Sequence, residues 1–384
     1  MELSAASFSY PRHDGPTRAD IAGCLLRGAS IDEGFVLSTC IRVEVAVPGP
    51  EDQLAESLAE LFGELPGQVE PEVRLGEQAV THLYRIAAGL ESPILGEQEI
   101  LTQFRQTLIE AEESGQVEGL FARLLESAVS VGRQARELLA GSPHNSMAAV
   151  AAQAVGPADH VAVLGSGIMA TAVVEGLMLL PAPPQVSIVA RNPEKVADLP
   201  GVEVLTFDRT REVIEGFPAV ISATSAKRRL IDDESLSEAL SARKTPLLLI
   251  DMAMPPDFRP TVGGHVTYVA IDDLARMADR RPRSPEADSL VESAAAEAYR
   301  NYREHHEVGP LIGGLMRIGD DIVEASVKRF SGRLSDPGDE AVLRQSAHTV
   351  ARTLLAGPVS YLKAEDRAPE AIDVIADAFG VDDD

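Results

Sequence analysis

The sequence predicts a multidomain α/β protein: an α+β N-terminal part, a parallel-sheet middle and a helical C-terminal part. Three observations carry that prediction. From residue 159 onward, short apolar strands alternate with helices, the texture of a parallel sheet covered on both faces. Before that point one alternating stretch is followed by helical periodicity, and after residue 284 strands cease. The 384 residues leave room for two or three domains.

In chain order, GFVLSTCIRVEVAV, residues 34–47, reads as a strand pair or a strand with a break. Phe35, Val36 and Leu37 are continuous, then Ile41, Val43, Val45 and Val47 alternate with Arg42, Glu44 and Ala46. If the strand runs through STCIR, Cys40 and Arg42 share one face and Ile41 points to the core. Val80, Leu83, Ile86, Ala87 and Leu90 recur at helical spacing, with an interruption near Ser92 and Pro93. A second helix from Gly96 and Glu97 carries Ile100, Leu101, Phe104, Leu108 and Ile109; a third covers 119–139; GSPHNS, 141–146, reads as a hinge. HVAVLGSGIMATAVVEGLMLL is then a strand, a glycine turn and a helix, and VSIVARNPEKV, AVISATSA and PLLLIDMAMPPDF are further strands. Residues 268–270 form a last short strand, with Asp272 and Asp273 capping the helix behind it. The charged, alanine-rich residues 284–306 read as a long solvent-exposed connecting helix, and everything after Gly309 as two or three amphipathic helices.

Composition narrows the function. A formal charge of -26 speaks against a general nucleic-acid binder, because affinity for the phosphate backbone comes from Lys and Arg; a local basic patch stays compatible with it. No apolar run reaches the roughly eighteen residues of a spanning helix, and MELSAASFSYPRHDGP lacks a signal-peptide pattern, so the expectation is a cytoplasmic protein. Two cysteines, Cys24 and Cys40, make no disulfide framework. With no cysteine cluster and no histidines at ligand spacing, no metal is expected.

GSGIMA follows a strand and opens a helix, the context of a Rossmann-type dinucleotide fingerprint. Gly165 makes the turn, Gly167 allows close approach, and Ala170 replaces the third glycine. The backbone of Gly165, Ser166, Gly167, Ile168, Met169 and Ala170 would hold a pyrophosphate at the helix N-terminus. Where an NAD enzyme places a carboxylate on the ribose, this chain has Ala190 followed by Arg191. An arginine in that place suits a 2'-phosphate, so the expected cofactor is NADPH; Lys195 is a further candidate.

Cys24, in IAGCLL, reads as a small core residue. Cys40 sits at a polar break, and Arg42 on its face would favour the thiolate. A thiolate beside a hydride donor suggests attack on an activated acyl group, a thioester, and reduction to an aldehyde.

These residues resemble the glutamyl-tRNA reductase family. STCIRVEV is similar to its STCNRTE segment, and HLYRIAAGLESPILGEQEILTQFR to HL(x)RVASGLDS(x)VLGEPQILGQVK; GSGIMA, VARN, VISATSA, IDMAMPPD and YVAIDDL follow in the family's order. The resemblance implies that Cys40 attacks the ester of glutamyl-tRNA, and that NADPH reduces the thioester to glutamate 1-semialdehyde, the first committed step of tetrapyrrole synthesis from glutamate. It implies substrate-pocket positions at Thr39, Cys40, Ile41, Arg42, Ser92, Glu97, Gln98, Glu99 and Gln103, with Arg42 on the glutamate carboxylate, and a histidine important for activity at His82. Read without the family, His82 is a packed or surface helix histidine. The implied fold is a V-shaped homodimer: a catalytic domain over 1–145, an NADPH domain over 146–283, and a long spinal helix with a helical dimerisation domain over 284–384. Arg105, Arg123, Arg133 and Arg136 become candidate tRNA contacts, and an aminomutase accepting the semialdehyde a candidate partner.

The chain departs from the family pattern at several places. Ile41 replaces Asn, Glu99 replaces Gln, and SYPRHDGPTRADIAG, RELLAGSPHNSMAAV and ARTLLAGPVSYLK match poorly. Two alternatives therefore stand beside the reductase: an NADPH dehydrogenase of a small acyl or keto acid, and a weakly active or regulatory paralogue.

Overall fold

The computed structural model describes residues 2–26, 31–62, 69–139, 146–196, 201–224, 230–258, 265–278, 284–331, 333, 337–364, 368 and 370–381. The 141–145 part of the expected hinge and residues 225–226 of VISATSA lie outside them. Two compact units divide the chain, Glu2–Ala298 and Tyr299–Asp384.

The first unit begins with β1 (Ser4–Ser9), α1 (Gly15–Leu26), β2 (Phe35–Ser38), β3 (Arg42–Val47), α2 (Glu51–Phe62) and β4 (Glu72–Leu75). The four strands form an antiparallel sheet in the order β2-β3-β1-β4. Three helices follow: α3 (Glu77–Ala87), α4 (Gln98–Glu113) and α5 (Gly119–Leu138). Neither β1 nor β4 is signalled by the sequence, since SAASFS and EVRL hold few branched or aromatic residues. Every residue of β3 is buried. Its alternation suggests one wet face, yet Arg42 and Glu44 are as enclosed as Val43 and Val45, because the side opposite the apolar cluster is covered by the segment carrying His82 and Glu91.

The unit continues with α6 (Met147–Ala154), β5 (His160–Leu164), α7 (Ile168–Met178), β6 (Gln185–Ala190), β7 (Glu203–Thr206), α8 (Thr210–Gly216), β8 (Ala219–Ser222), α9 (Asp233–Ala242), β9 (Leu247–Asp251), β10 (Val266–Ala270) and α10 (Ile271–Met277). The six strands pair in parallel as β10-β9-β8-β5-β6-β7. In this doubly wound order the chain reverses direction across the sheet at β5, and ligands bind beyond the strand C-termini at that point. One face of the sheet packs Val161, Val163, Ile188 and Ile221 against Ala148, Ala151, Val173 and Leu177; the other packs Ala162, Leu164, Val189 and Val220 against Val213, Leu236 and Phe258. Each fully buried branched aliphatic contributes about 1.5–3 kcal/mol.

From residue 285 the sequence expectation needs correction. α11 spans Pro285–Ser331 without interruption, where a helix ending near Gly309 is expected. Pro310 removes one backbone bond, but Val308, Leu311 and Leu315 bury a stripe across it, and that stripe keeps the helix continuous. Nor is its first part exposed all round: Ala287, Val291 and Ala295 are fully buried. Within the second unit, α12 (Pro337–Leu362) and α13 (Ala371–Phe379) pack Leu355, Leu362, Ile372 and Ile375 against that stripe. Val350 and Leu354, one turn apart on α12, remain exposed. No helix among the described residues is long and apolar enough to cross a membrane.

Candidate active site

Cys40 and Ile41 are the two central residues of the tight connection between β2 and β3, closed by Thr39 N–H donating to the Arg42 carbonyl at 2.8 Å. The strand therefore does not run through STCIR, and Cys40 and Arg42 do not share a strand face. Ile41 is buried with Ile94 in the apolar cluster of the parallel sheet, and Cys40 packs against the same cluster. An asparagine there would bury its amide among aliphatics, which accounts for Ile41 as a packing residue. Cys24, by contrast, is buried in the apolar core between the antiparallel sheet and its helices.

The thiol is enclosed although Cys40 as a residue is partly exposed. Burial pushes its pKa up to about 12, the nearby Glu97 carboxyl adds to the rise, and Arg18 is the cation that opposes it. Arg42 turns elsewhere: its Nη2 donates to the Glu91 carbonyl and its Nη1 reaches Glu44 Oε1 at 3.5 Å. Glu44 is the buried hub of this side. Its Oε1 accepts from Ser7 Oγ at 2.9 Å, and its Oε2 lies 3.0 Å from His82 Nε2.

The loop after α3 brings the remaining residues in. Gly89 has φ 72, and a Cβ there would stand 3.1 Å from Glu97 N and Gly96 Cα; glycine alone lets the loop double back, with Gly96 N–H donating to the Gly89 carbonyl at 3.0 Å. Glu97 is thereby buried, and burial first, then repulsion from Glu99, raises its pKa to about 7. Burial also raises Glu99. Arg136 faces this pair and donates to the Glu97 carbonyl, so it is a site residue rather than a solvated one. Arg105, Arg123 and Arg133 are exposed.

The buried polar atoms here that make no hydrogen bond among the described residues include Arg42 Nε, Ser92 Oγ and Glu99 Oε2. Such orphans mark a site shaped for a polar ligand. Gln103 on α4 is partly buried; the side chains of Gln98 and Lys195 lie outside the described residues. A cleft of about 510 Å³ opens beside His82, lined also by Arg74, Thr81, Arg85 and Glu91.

Across the shared cluster, the turn after β5 fits a nucleotide cofactor. Gly165 has φ 120, and a Cβ there would stand 2.6 Å from the Ala223 carbonyl oxygen. A Cβ on Gly167 would meet nothing within 4 Å. Gly167 caps α7 without a side-chain bond, and the first amides of a helix have no intrahelical partner, which favours an anion at this end. Ala170 is buried as the packing residue, Ser166 and Ile168 are exposed, Met169 is half-buried, and Arg191 is exposed at the end of β6.

Sequence reasoning missed Glu44, Glu91 and Arg18. Glu44 had a signal, a carboxylate two residues from Arg42 on one strand face; Arg18 had none, being joined to Cys40 across 22 residues.

Comparison with known proteins agrees with this layout. Three family models match: glutamyl-tRNAGlu reductase, N-terminal domain, over 13–138; shikimate / quinate 5-dehydrogenase over 149–277; and glutamyl-tRNAGlu reductase, dimerisation domain, over 286–381. A glutamyl-tRNA reductase of Thermus thermophilus is 32% identical over 335 residues, covering 80% of this chain and 83% of the relative. One of Caldivirga maquilingensis is 31% identical over 366 residues, covering 90% and 86%. The solved glutamyl-tRNA reductase of Methanopyrus kandleri is 25% identical and covers 99% of both chains at a TM-score of 0.45, so the assignment rests on the sequences. The middle match supports a nucleotide cofactor, and the last supports a homodimer. At 31–32% identity over most of its length, the chain belongs to the glutamyl-tRNA reductase family.

Proposed function

We propose that the chain reduces glutamyl-tRNA to glutamate 1-semialdehyde with NADPH through a thioester on Cys40, the first step of tetrapyrrole synthesis from glutamate. The observation that supports this reading is that the Cys40 turn packs on the same apolar cluster as the strand and helix of the dinucleotide turn.

With its pKa pushed up to about 12, the thiol needs a base before it can attack. Glu97, titrating near 7, takes the thiol proton as sulfur bonds to the ester carbonyl carbon, then returns it to the ribose oxygen as the carbon–oxygen bond breaks. Arg42 and Ser92 hold the glutamate side-chain carboxylate through Nε and Oγ, the donors without a partner. Thr39 and Gln103 line the same pocket. Glu99 faces Arg136, which offsets its charge, and His82, fixed by Glu44, orients the ester at the cleft. Gly165 to Ala170 hold the cofactor's pyrophosphate and Arg191 its 2'-phosphate. A cofactor bound there would supply the hydride for the acyl group carried on Cys40, and when that group leaves as the aldehyde the Cys40 sulfur keeps the electron pair of the carbon–sulfur bond.

The remaining parts follow the family pattern. Residues 1–145 form the catalytic domain, 146–283 the NADPH domain, and 284–384 the spinal helix and dimerisation domain. Arg105, Arg123 and Arg133 contact tRNA phosphates, the protein works in the cytoplasm, and an aminomutase receives the semialdehyde. Incubation with glutamyl-tRNA and NADPH should yield semialdehyde. Product formation that survives ribonuclease treatment of the substrate would point instead to a small acyl substrate and overturn the reading.

A further inference from the structure

Arg18 is a fully buried side chain in the first turns of α1. Its Nη1 donates to the His13 carbonyl at 2.5 Å, and its Nη2 donates both to the Cys40 carbonyl at 3.2 Å and to Asp272 Oδ1 at 2.5 Å. The second Asp272 oxygen accepts the Gly15 N–H at 2.8 Å. Asp272, expected from sequence to cap its own helix, leaves that task to Asp273, whose Oδ2 accepts the Ala270 N–H at 2.9 Å. It turns outward and binds the N-terminus of α1, where a carboxylate is favoured by the helix dipole.

A single guanidinium thus joins the nucleophile turn, 22 residues away, to the first turn of α10, 254 residues away at the edge of the parallel sheet. A buried ion pair adds little net stability over apolar packing, so what it supplies here is geometry. We propose that Arg18 and Asp272 are positioning residues: they latch the Cys40 turn to the nucleotide-binding sheet, so that an acyl group carried on the thiol meets the hydride donor. The proposal rests on the thioester reading of Cys40. Acyl transfer to Cys40 uses only the N-terminal part and the tRNA ester; reduction alone needs the two parts in register. Loss of the latch should therefore weigh on the second half-reaction.

The test uses the full chain with radiolabelled glutamyl-tRNA and follows thioester formation without NADPH, then reduction of the preformed thioester on adding it. Asp272→Asn keeps the side-chain shape and removes the charge. It should change thioester formation by no more than about twofold and slow reduction about tenfold, the scale expected when reacting atoms are displaced by a fraction of an ångström. More of the thioester should then be lost to hydrolysis as free glutamate. Asp272→Glu, which keeps the charge but lengthens the side chain, should show the same split if the first variant unfolds. A merely structural role would lower both half-reactions by one factor, and that result, or an unchanged reduction rate, overturns the latch. Wild-type protein that forms no thioester would overturn the Cys40 reading, and the latch with it, before any variant is measured.

Discussion

The nucleophile pocket and the dinucleotide turn meet on one apolar cluster but are built on opposite principles. In the pocket the chemistry lives in side chains: Cys40, Glu97, Arg42, Glu44 and His82 are charged or reactive groups held at low exposure by one another. In the turn it lives in the backbone, where Gly165 matters for the atom it lacks. Pocket substitutions should therefore act through charge and chemistry, and turn substitutions through volume. The pocket also carries costs, since it holds buried charges and donors without a partner.

The largest effect should come from the thiol. Cys40→Ser should lower semialdehyde formation about a thousandfold or more, while nucleotide binding, followed by fluorescence titration, stays as in wild type. Next is the hub of the pocket: Glu44→Ala strips Arg42 and His82 of their buried acceptor and should cost about 3 kcal/mol of stability in chemical denaturation. A loss near zero would mean that the pocket is not held together by its charges.

Glu97 separates function from stability. Its folded-state pKa is raised from 4.5 to about 7, so the neutral form's stabilisation is fully present below about pH 4.5 and is lost as pH rises through about 7. Replacing it with glutamine should remove that loss, making Glu97→Gln more stable than wild type at pH 8 by up to about 3 kcal/mol and less active. Denaturation at pH 5 and pH 8 checks the sign; a variant less stable at pH 8 would contradict it.

The turn should respond more mildly. Gly165→Ala forces a Cβ to within 2.6 Å of the Ala223 carbonyl and should raise KM for NADPH about tenfold, with Cys40 alkylation by iodoacetamide unchanged. The smallest effect is at the 2'-phosphate: Arg191→Ala should weaken NADPH binding about fivefold more than NADH binding, as loss of one exposed charged contact does. Equal losses would remove the phosphate argument.

The same contrast explains what the sequence made legible. A backbone site has a local signature, and strand, glycine turn and helix stand in one run of VAVLGSGIMA. The pocket is assembled from residues far apart: Glu97 reaches Cys40 only because Gly89 lets its loop fold back, and Arg18 reaches Asp272 across 254 residues. Cys40 was visible through its polar break, but its protonation state was not, because burial rather than any neighbour in sequence sets it. A continuous strand would aim Arg42 at the thiol; the turn at Cys40 and Ile41 breaks that register and sends it to Glu44. Strand β7 is hard to read for a simpler reason, since it is four residues long at the sheet edge and only Leu205 is buried.

Trapping the covalent intermediate decides whether the pocket works as described. Protein mixed with glutamyl-tRNA in the absence of NADPH, quenched in acid and digested, should carry a glutamyl group on the peptide containing Cys40, and NADPH added before the quench should discharge it to semialdehyde. Semialdehyde production with no label on that peptide, or a label on another residue, would contradict the account.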